Sequence, residues 1–440
     1  MRRRRATYLL LAILALAAPA VAQTPLSLTD AVARARAHNP DAGSSAAGER
    51  EAAQRVTQAR AGYWPRVDVV ESWQRGNQPV FVFSSLLAQR QFTAADFALG
   101  ALNHPDAVDN FRTALTVEQF LFDPATRANV AVAGIGHDIA TATRLMVDDD
   151  LAATVTEAYG RVLVSAGARQ SADAAVATAL ADRELAGSQR DAGRVTDADV
   201  LQIDVHVSQA REQQIRAASD ERIARAQLNQ VMGEPLGEAF LLELVPAVAI
   251  VDATDLAALE AEALENRPDV TLAAFQEQLA RASQTAARGA FLPQVSVQSG
   301  WEFNGGAWNS RASSWIVGAV ARVNLFHGFA DKARLAEAND QATQRAFERS
   351  KSETAARLDV HVAVARLDAA RASEAVGRDA VAQARESRRI IRDRYEAGLT
   401  DVTSLVRSTD AVAQAEAQRV TAQVGVLTAS AALQRALGRR

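Results

Sequence analysis

The chain has 440 residues, 48% apolar and 23% charged, which is more than one ordinary domain and excludes a disordered composition. Alanine fills 96 positions while aromatics make up only 5%, so closely packed helices are favoured over a thick aromatic core. A net charge of -4, with 48 basic residues scattered among 52 acidic ones, removes the electrostatic case for nucleic-acid binding, and the absence of cysteine excludes disulfides, thiolate metal sites and a cysteine nucleophile.

The amino terminus reads as an address. Arg2 to Arg5 form a positive region, Tyr8 to Ala18 an apolar run, and Ala20-Val21-Ala22 a small-x-small cleavage pattern, so a signal peptide over 1–22 is expected, cut after Ala22. The run is too short to span a bilayer, which needs about 20 helical residues. Without cysteine, no lipid can be attached through an N-terminal Cys.

The remainder says the same thing twice. Asn39-Pro40-Asp41 is matched by Arg267-Pro268-Asp269, Pro65 by Pro293 and Trp73 by Trp301, all 228 apart. Further on, Leu121-Phe122 and Leu325-Phe326 are 204 apart, whereas Gly193 and Gly398, Ala210 and Ala415, and Gly233 and Gly438 are 205 apart. The first copy therefore carries 24 extra residues between Trp73 and Phe111. Repeats over 23–232 and 257–440, joined by a connecting segment over 233–256, are the expected domain organisation.

Within each copy, Pro40 and Pro268 open a helix that Pro65 and Pro293 close, because proline is tolerated in a first turn and breaks a helix interior. Two strands per copy follow, about 66–75 and 111–120, then 294–303 and 314–323. In the first strand of the second copy Gln294, Ser296, Gln298 and Glu302 face one way and Val295, Val297, Trp301 and Phe303 the other. Leu115 and Val117, like Trp315, Val317 and Ala319, stand opposite Arg112, Thr116 and Glu118 or Arg322. About ten residues suffice for a tilted strand to cross a bilayer, and Trp73, Trp301, Phe303 and Trp315 suit lipid-facing or interfacial anchors. The 24-residue excess contains Val80-Phe81-Val82-Phe83 and Leu86-Leu87, too apolar for an idle loop in water; it predicts a loop folded against lipid or over the mouth of whatever the strands enclose, with a plain packing insert as the alternative.

Proline-free stretches then predict rods over about 124–187 and 329–396, each roughly 100 Å long, with return helices over 197–232 and 401–437. The second rod bears two apolar seams, one with Leu358, Val362, Ala365, Ala369, Ala372 and Val376 and one with Val360, Val364 and Leu367. A helix in the wall of a tube needs two such seams; an ordinary soluble bundle is the alternative. The turns at Gly193 and Gly398 close each helical hairpin. Four strands cannot close a barrel, and an open sheet in lipid leaves backbone edges unpaired at several kcal/mol per group, so other copies must supply the rest.

This pattern resembles the TolC family of outer-membrane efflux factors over nearly the whole mature chain. The residues that carry the resemblance are Leu28-Thr29-Asp30-Ala31, Asn39-Pro40-Asp41, the Pro-then-strand junctions, Gln119-Phe120-Leu121-Phe122-Asp123, Val323-Asn324-Leu325-Phe326, and the turns at Ala192-Gly193 and Ala397-Gly398. The resemblance implies a mainly α fold with a small β part: a homotrimer whose 12-stranded outer-membrane barrel continues into a periplasmic α-helical barrel. It also implies a passive exit duct with no cofactor, served by a periplasmic adaptor and an inner-membrane pump or secretion ATPase. Gly193, Thr196, Gly398 and Thr400 are then the adaptor-docking tips.

Family members with a selectivity ring carry Asp residues early in the second return helix, where this sequence has Ser404 and Arg407. Its second turn also looks one residue shorter before the Thr-Asp pair. Asp199 matches the acidic position in the first copy, so Asp199, Ser404 and Arg407 are the candidate pore constriction; a solvated Asp199 is the alternative. His38, His104, His137, His206, His327 and His361 lack metal-ligand spacing, and no nucleophile elbow or phosphate loop appears, so neither an enzyme nor a metal site is expected. A non-conducting trimeric surface or periplasmic scaffold using the same rods is the competing function.

Overall fold

The computed structural model describes residues 25–243 and 255–439; residues 1–24, with the expected signal peptide, residues 244–254 of the connecting segment, and Arg440 lie outside them. In chain order the main elements are β1 (Pro25–Leu26), α1 (Leu28–His38), α2 (Pro40–Arg60), β2 (Arg66–Gly76), α3 (Pro79–Ala88), α4 (Leu99–Asn103), β3 (Val108–Phe122), α5 (Pro124–Asp191), α6 (Asp197–Met232), β4 (Leu241–Leu242), α7 (Leu256–Asn266), α8 (Pro268–Gly289), β5 (Gln294–Ala307), β6 (Ser310–Arg322), α9 (Ala330–Glu396) and α10 (Val402–Ala436). Two compact units divide the chain. One takes Arg144–Pro268 and Thr354–Arg440 with the segment ending at Ser45, and the other takes Ala46–Thr143 and Asp269–Glu353.

The first unit is helical and built twice from the same contacts. One core packs Ala31, Ala35, Val155, Val162, Leu228 and Met232; another packs Leu259, Ala263, Val360, Leu367, Leu433 and Leu437. Each residue of the first set stands at the repeat spacing from one of the second, so the duplication read in the sequence is a duplication of packing. The short helices α1 and α7 are capped by Ser27 and Asp255, whose side chains accept from the amides of Asp30 and Ala258. Their far ends abut the glycines that finish α6 and α10. Gly233 (φ 75°) and Gly438 (φ 70°) are left-handed, and a Cβ on Gly233 would lie 2.5 Å from the His38 carbonyl oxygen and one on Gly438 2.7 Å from the Asn266 carbonyl carbon. Only glycine meets both demands at once.

Tyr159 is where the copies differ. Its hydroxyl lies 2.9 Å from the carbonyl oxygens of both Leu26 and Glu243 and donates there, clasping the parallel β1–β4 pair to α5. Burial pushes the phenol up to about 12, so it stays protonated as a donor. The equivalent position in the second copy is Val364, so among the described residues the clasp exists once.

The second unit is organised around a four-stranded antiparallel sheet in the order β2-β3-β5-β6. Pairing runs from Arg66↔Glu118 to Gly76↔Val108, so β3 starts earlier than the alternation of apolar residues alone indicates. The ends of the pre-sheet helices are pinned by small residues: a Cβ at Gly62 would meet the Thr126 side chain at 2.8 Å and one at Gly289 would meet Pro124 at 3.1 Å. The 24-residue excess of the first copy folds as α3, a short 3-10 turn and α4 between β2 and β3.

That insert is fastened to the sheet. Gln89 donates to the Asp109 carbonyl at 2.8 Å and to the Asn110 side chain at 3.1 Å, and Asn110 donates to Asn304 at 3.1 Å. Arg90, held at φ 56°, donates to the Ser313 carbonyl at 2.8 Å. Phe83, Phe92 and Phe97 stack edge to face at 4.9 and 5.0 Å, which gives the insert its own small core.

Candidate functional site

Two surfaces carry the features expected of function: the sheet of the second unit, and the paired helix turns of the helical unit. In the sheet, register decides the faces. Glu118 pairs with Gln298 and Ala114 with Glu302, so Asp68, Ser72, Arg112, Thr116, Glu118, Ser296, Gln298, Glu302 and Asn304 share one face. This face is laced by side-chain bonds, Gln298 donating to Glu118 at 2.9 Å and Arg112 to Glu302.

The opposite face carries Val67, Val69, Leu115, Val117, Val297, Trp301, Trp315 and Val317, as the alternation predicts. Trp73 is 60% exposed, Trp301 50%, Phe303 39% and Trp315 73%, so all four present apolar surface outward. Trp301 stands directly across from Trp315, and Trp73 from Phe111. The Trp73 indole donates to Asp109 at 3.0 Å, fixing an aromatic body with a polar tip. One polar knot interrupts this face: Glu71 and Arg311 both bond Thr113, and Arg311 stacks on Trp308 at 3.6 Å. Strict alternation could not reveal it, because the three residues lie on three strands.

At the turns, both copies use the same backbone device. Gly193 (φ 71°) and Gly398 (φ 74°) take the left-handed conformation, with Arg194 donating to the Gln189 carbonyl at 2.9 Å and Leu399 to that of Arg394 at 2.8 Å. The return helices then start at equal distances from their glycines. Thr196 caps α6 and Asp401 caps α10, so the two turns are the same length and the structural partner of Thr196 is Asp401, with Thr400 one residue before the cap. The apparent shortening came from aligning two Thr-Asp pairs that are not equivalent.

The caps exchange their chemistry between copies. Thr196 accepts from the Asp199 amide at 3.3 Å while its own amide donates to the Asp199 carboxylate at 2.8 Å. In the second copy the acid is the cap itself: Asp401 accepts from the Ser404 amide at 2.8 Å. Hydrogen bonds from Ser404, with help from the nearby Arg407 charge, hold the Asp401 carboxyl below its ordinary value. Asp199, Ser404 and Arg407 thus stand in the first turns of the return helices, with Asp199 and Ser404 engaged in capping and Arg407 exposed.

Sequence reasoning missed a buried polar cluster ten to thirteen residues from these glycines. Asp182 (α5) accepts from Thr409 (α10) at 3.2 Å and lies 3.6 Å from Arg388 (α9), whose Nε donates to the same Thr409 hydroxyl at 3.1 Å. His206 (α6) and Tyr395 (α9) are buried beside it. Isolated polar residues inside an alanine-rich helix leave no periodic signal, so only packing brings them together.

The outer membrane efflux protein family model matches residues 31–234 and 259–439. The chain belongs to that family. Its members are passive channels of the Gram-negative outer membrane and not enzymes. Protein CyaE of Bordetella pertussis is 27% identical over 402 residues, 89% of this chain and 79% of that protein. Two solved structures share the fold at low identity. The outer membrane protein VceC of Vibrio cholerae superposes with a TM-score of 0.77 at 17% identity, covering 94% of this chain and 96% of that one. The CmeC outer membrane channel of Campylobacter jejuni superposes with a TM-score of 0.79 at 13% identity, covering 93% and 85%.

Proposed function

We propose that three copies of this efflux-family chain form an exit duct through the outer membrane, fed by a periplasmic adaptor and an inner-membrane pump or secretion ATPase. The observation that carries this reading is the four-stranded sheet with β2 and β6 at its unpaired edges and an exposed apolar face. In lipid each unsatisfied backbone group costs several kcal/mol, so β6 of one copy must pair with β2 of the next until the barrel closes. Three copies give 12 strands with the laced polar face towards a water-filled lumen and Trp73, Trp301, Phe303 and Trp315 towards lipid. A second support is α9: Val360 and Leu367 are buried within the chain, whereas Leu358 is 61% and Val376 68% exposed, which leaves a whole seam for a neighbouring copy.

In this duct the turns at Gly193 and Thr196 and at Gly398 and Thr400 are the adaptor-docking points, and Asp199, Ser404 and Arg407 border the periplasmic constriction. The insert over 77–107 caps the external mouth. The chain is delivered by a cleaved signal peptide and carries no lipid. No energy input belongs to the chain, since a duct lowers a barrier and the pump supplies the driving force. The native mass of protein extracted in mild detergent from the outer-membrane fraction, corrected for bound detergent, tests the reading. Three chains with ion conductance in planar bilayers are expected. Trimers that never conduct would favour a scaffold, and a single chain that stays soluble without detergent would overturn the barrel.

A further inference from the structure

The duplicated register exposes an exchange of partners between the copies. Arg183 and Arg388 occupy equivalent positions, as do Asp204 and Thr409. In the first copy Arg183 donates to Asp204 at 2.7 Å within its own hairpin, α5 with α6. In the second copy the acid is replaced by Thr409, which accepts from Arg388 at 3.1 Å but cannot neutralise it. The carboxyl beside it belongs to the other hairpin: Asp182 of α5 stands 3.6 Å from Arg388 of α9 and accepts from Thr409 of α10 at 3.2 Å. An ion pair inside one hairpin has become a link between two.

That link is poorly solvated. Asp182 is 2% exposed, and no group among the described residues donates to its Oδ1. The groups around it come from every neighbouring helix: Arg388, Arg392 and the Tyr395 hydroxyl from α9, His206 from α6, whose Nε2 lies 3.8 Å from Asp410, and Thr409 and Asp410 from α10. Neither the His206 Nε2 nor the Tyr395 hydroxyl makes a hydrogen bond to a described residue. The pocket is rich in donors and poor in partners for Oδ1: a neutral carboxyl could satisfy that oxygen by donating to the unbonded imidazole nitrogen or phenol oxygen, whereas an ionised one is a buried charge with Oδ1 unbonded.

We propose that Asp182 is a proton-binding site that couples periplasmic pH to the association of the two helical hairpins. This rests on the duct reading: Asp199, Ser404 and Arg407, which border the periplasmic constriction there, stand at the ends of these two hairpins, so the spacing of the hairpins sets its aperture. Protonated, Asp182 lets the hairpins stay packed; ionised, it gains hydration when they part. Burial indeed raises its proton affinity above the ordinary carboxyl value, against the opposing pull of Arg388 and Thr409. A carboxyl that binds its proton more tightly when packed than when hydrated favours packing as pH falls and separation as pH rises.

The test is the open probability of the purified wild-type trimer in planar bilayers between about pH 7 and about pH 4, set against two variants. Wild-type opening should fall on acidification by up to about tenfold per pH unit for each chain. Asp182→Asn, permanently neutral, should be mostly closed at neutral pH and lose this dependence. Thr409→Val, which removes a hydrogen bond that favours the ionised form, should move the transition to higher pH, and it decides the matter if Asp182→Asn does not assemble. An unchanged pH profile in Asp182→Asn, or an unshifted one in Thr409→Val, overturns the proton site while leaving the duct intact. Wild-type protein that neither trimerises nor conducts at any pH overturns both.

Discussion

Leu115 and Thr116 are adjacent at the centre of β3 and point to opposite faces of the sheet, so one substitution placed at each position tests the architecture directly. Leu115 sits between Val69 and Trp301 on the apolar face; Thr116 sits between Asp68 and Gly300 on the polar face. An arginine facing lipid at the bilayer midplane costs about 2–4 kcal/mol, roughly 30- to 1,000-fold in the folding equilibrium, whereas one facing a watery lumen costs close to nothing. Thr116→Arg is further accommodated by the neighbouring Asp68 carboxylate. Refolding each variant into lipid vesicles and following the folded trimer on unheated gels through a urea titration gives the comparison. Leu115→Arg should need markedly less urea to unfold, while Thr116→Arg should match wild type and alter cation selectivity through one added positive charge per chain. Equal destabilisation of both, or greater loss in Thr116→Arg, would refute the assignment of faces and the barrel with it.

Four further outcomes are expected. Gly233→Ala places a Cβ 2.5 Å from the His38 carbonyl on a left-handed backbone, and should lower the thermal midpoint by the equivalent of about 2 kcal/mol or more, measured by the melting of helical circular dichroism. Tyr159→Phe removes the hydroxyl that bonds Leu26 and Glu243 and should cost about 1–3 kcal/mol, with faster amide exchange confined to the β1–β4 segment. Gln89→Ala frees the insert from Asp109 and Asn110, so trypsin added outside intact cells should cut after Arg90 at least several-fold faster than in wild type. The Asp401 carboxyl is lowered in the fold, so its capping persists at neutral pH and is lost only as pH falls below the ordinary carboxyl range; amide exchange at Ser404 should accelerate there, and in Asp401→Asn should be less pH-dependent.

The local elements are legible because their signals are local: proline positions bound the helices, alternation marks the strands, and left-handed glycines end the rods. The repeat is legible because packing contacts recur at fixed offsets, as Val155 and Val360 or Leu228 and Leu433 do. What the residues alone did not settle lies where partners are distant in sequence. By its letters Thr400 matches Thr196, but the cap is Asp401, because backbone geometry counts residues from the glycine and not from a motif. From its letters the insert is an apolar loop; that it forms helices fastened to β3 and β6 through Gln89 and Arg90 is a matter of partners far away in sequence.

By itself, then, the sequence determined two hairpins of long helices, four membrane-length strands and their two faces, because periodicity is a property of each segment and its solvent. Tertiary structure decided which groups share a pocket. Asp182, His206, Arg388 and Thr409 come from four different helices, and their meeting depends on the rotation and register of helices whose seams are mostly interchangeable alanine. Alanine specifies close approach without specifying a neighbour, so the choice of polar partners had to await the packed chain.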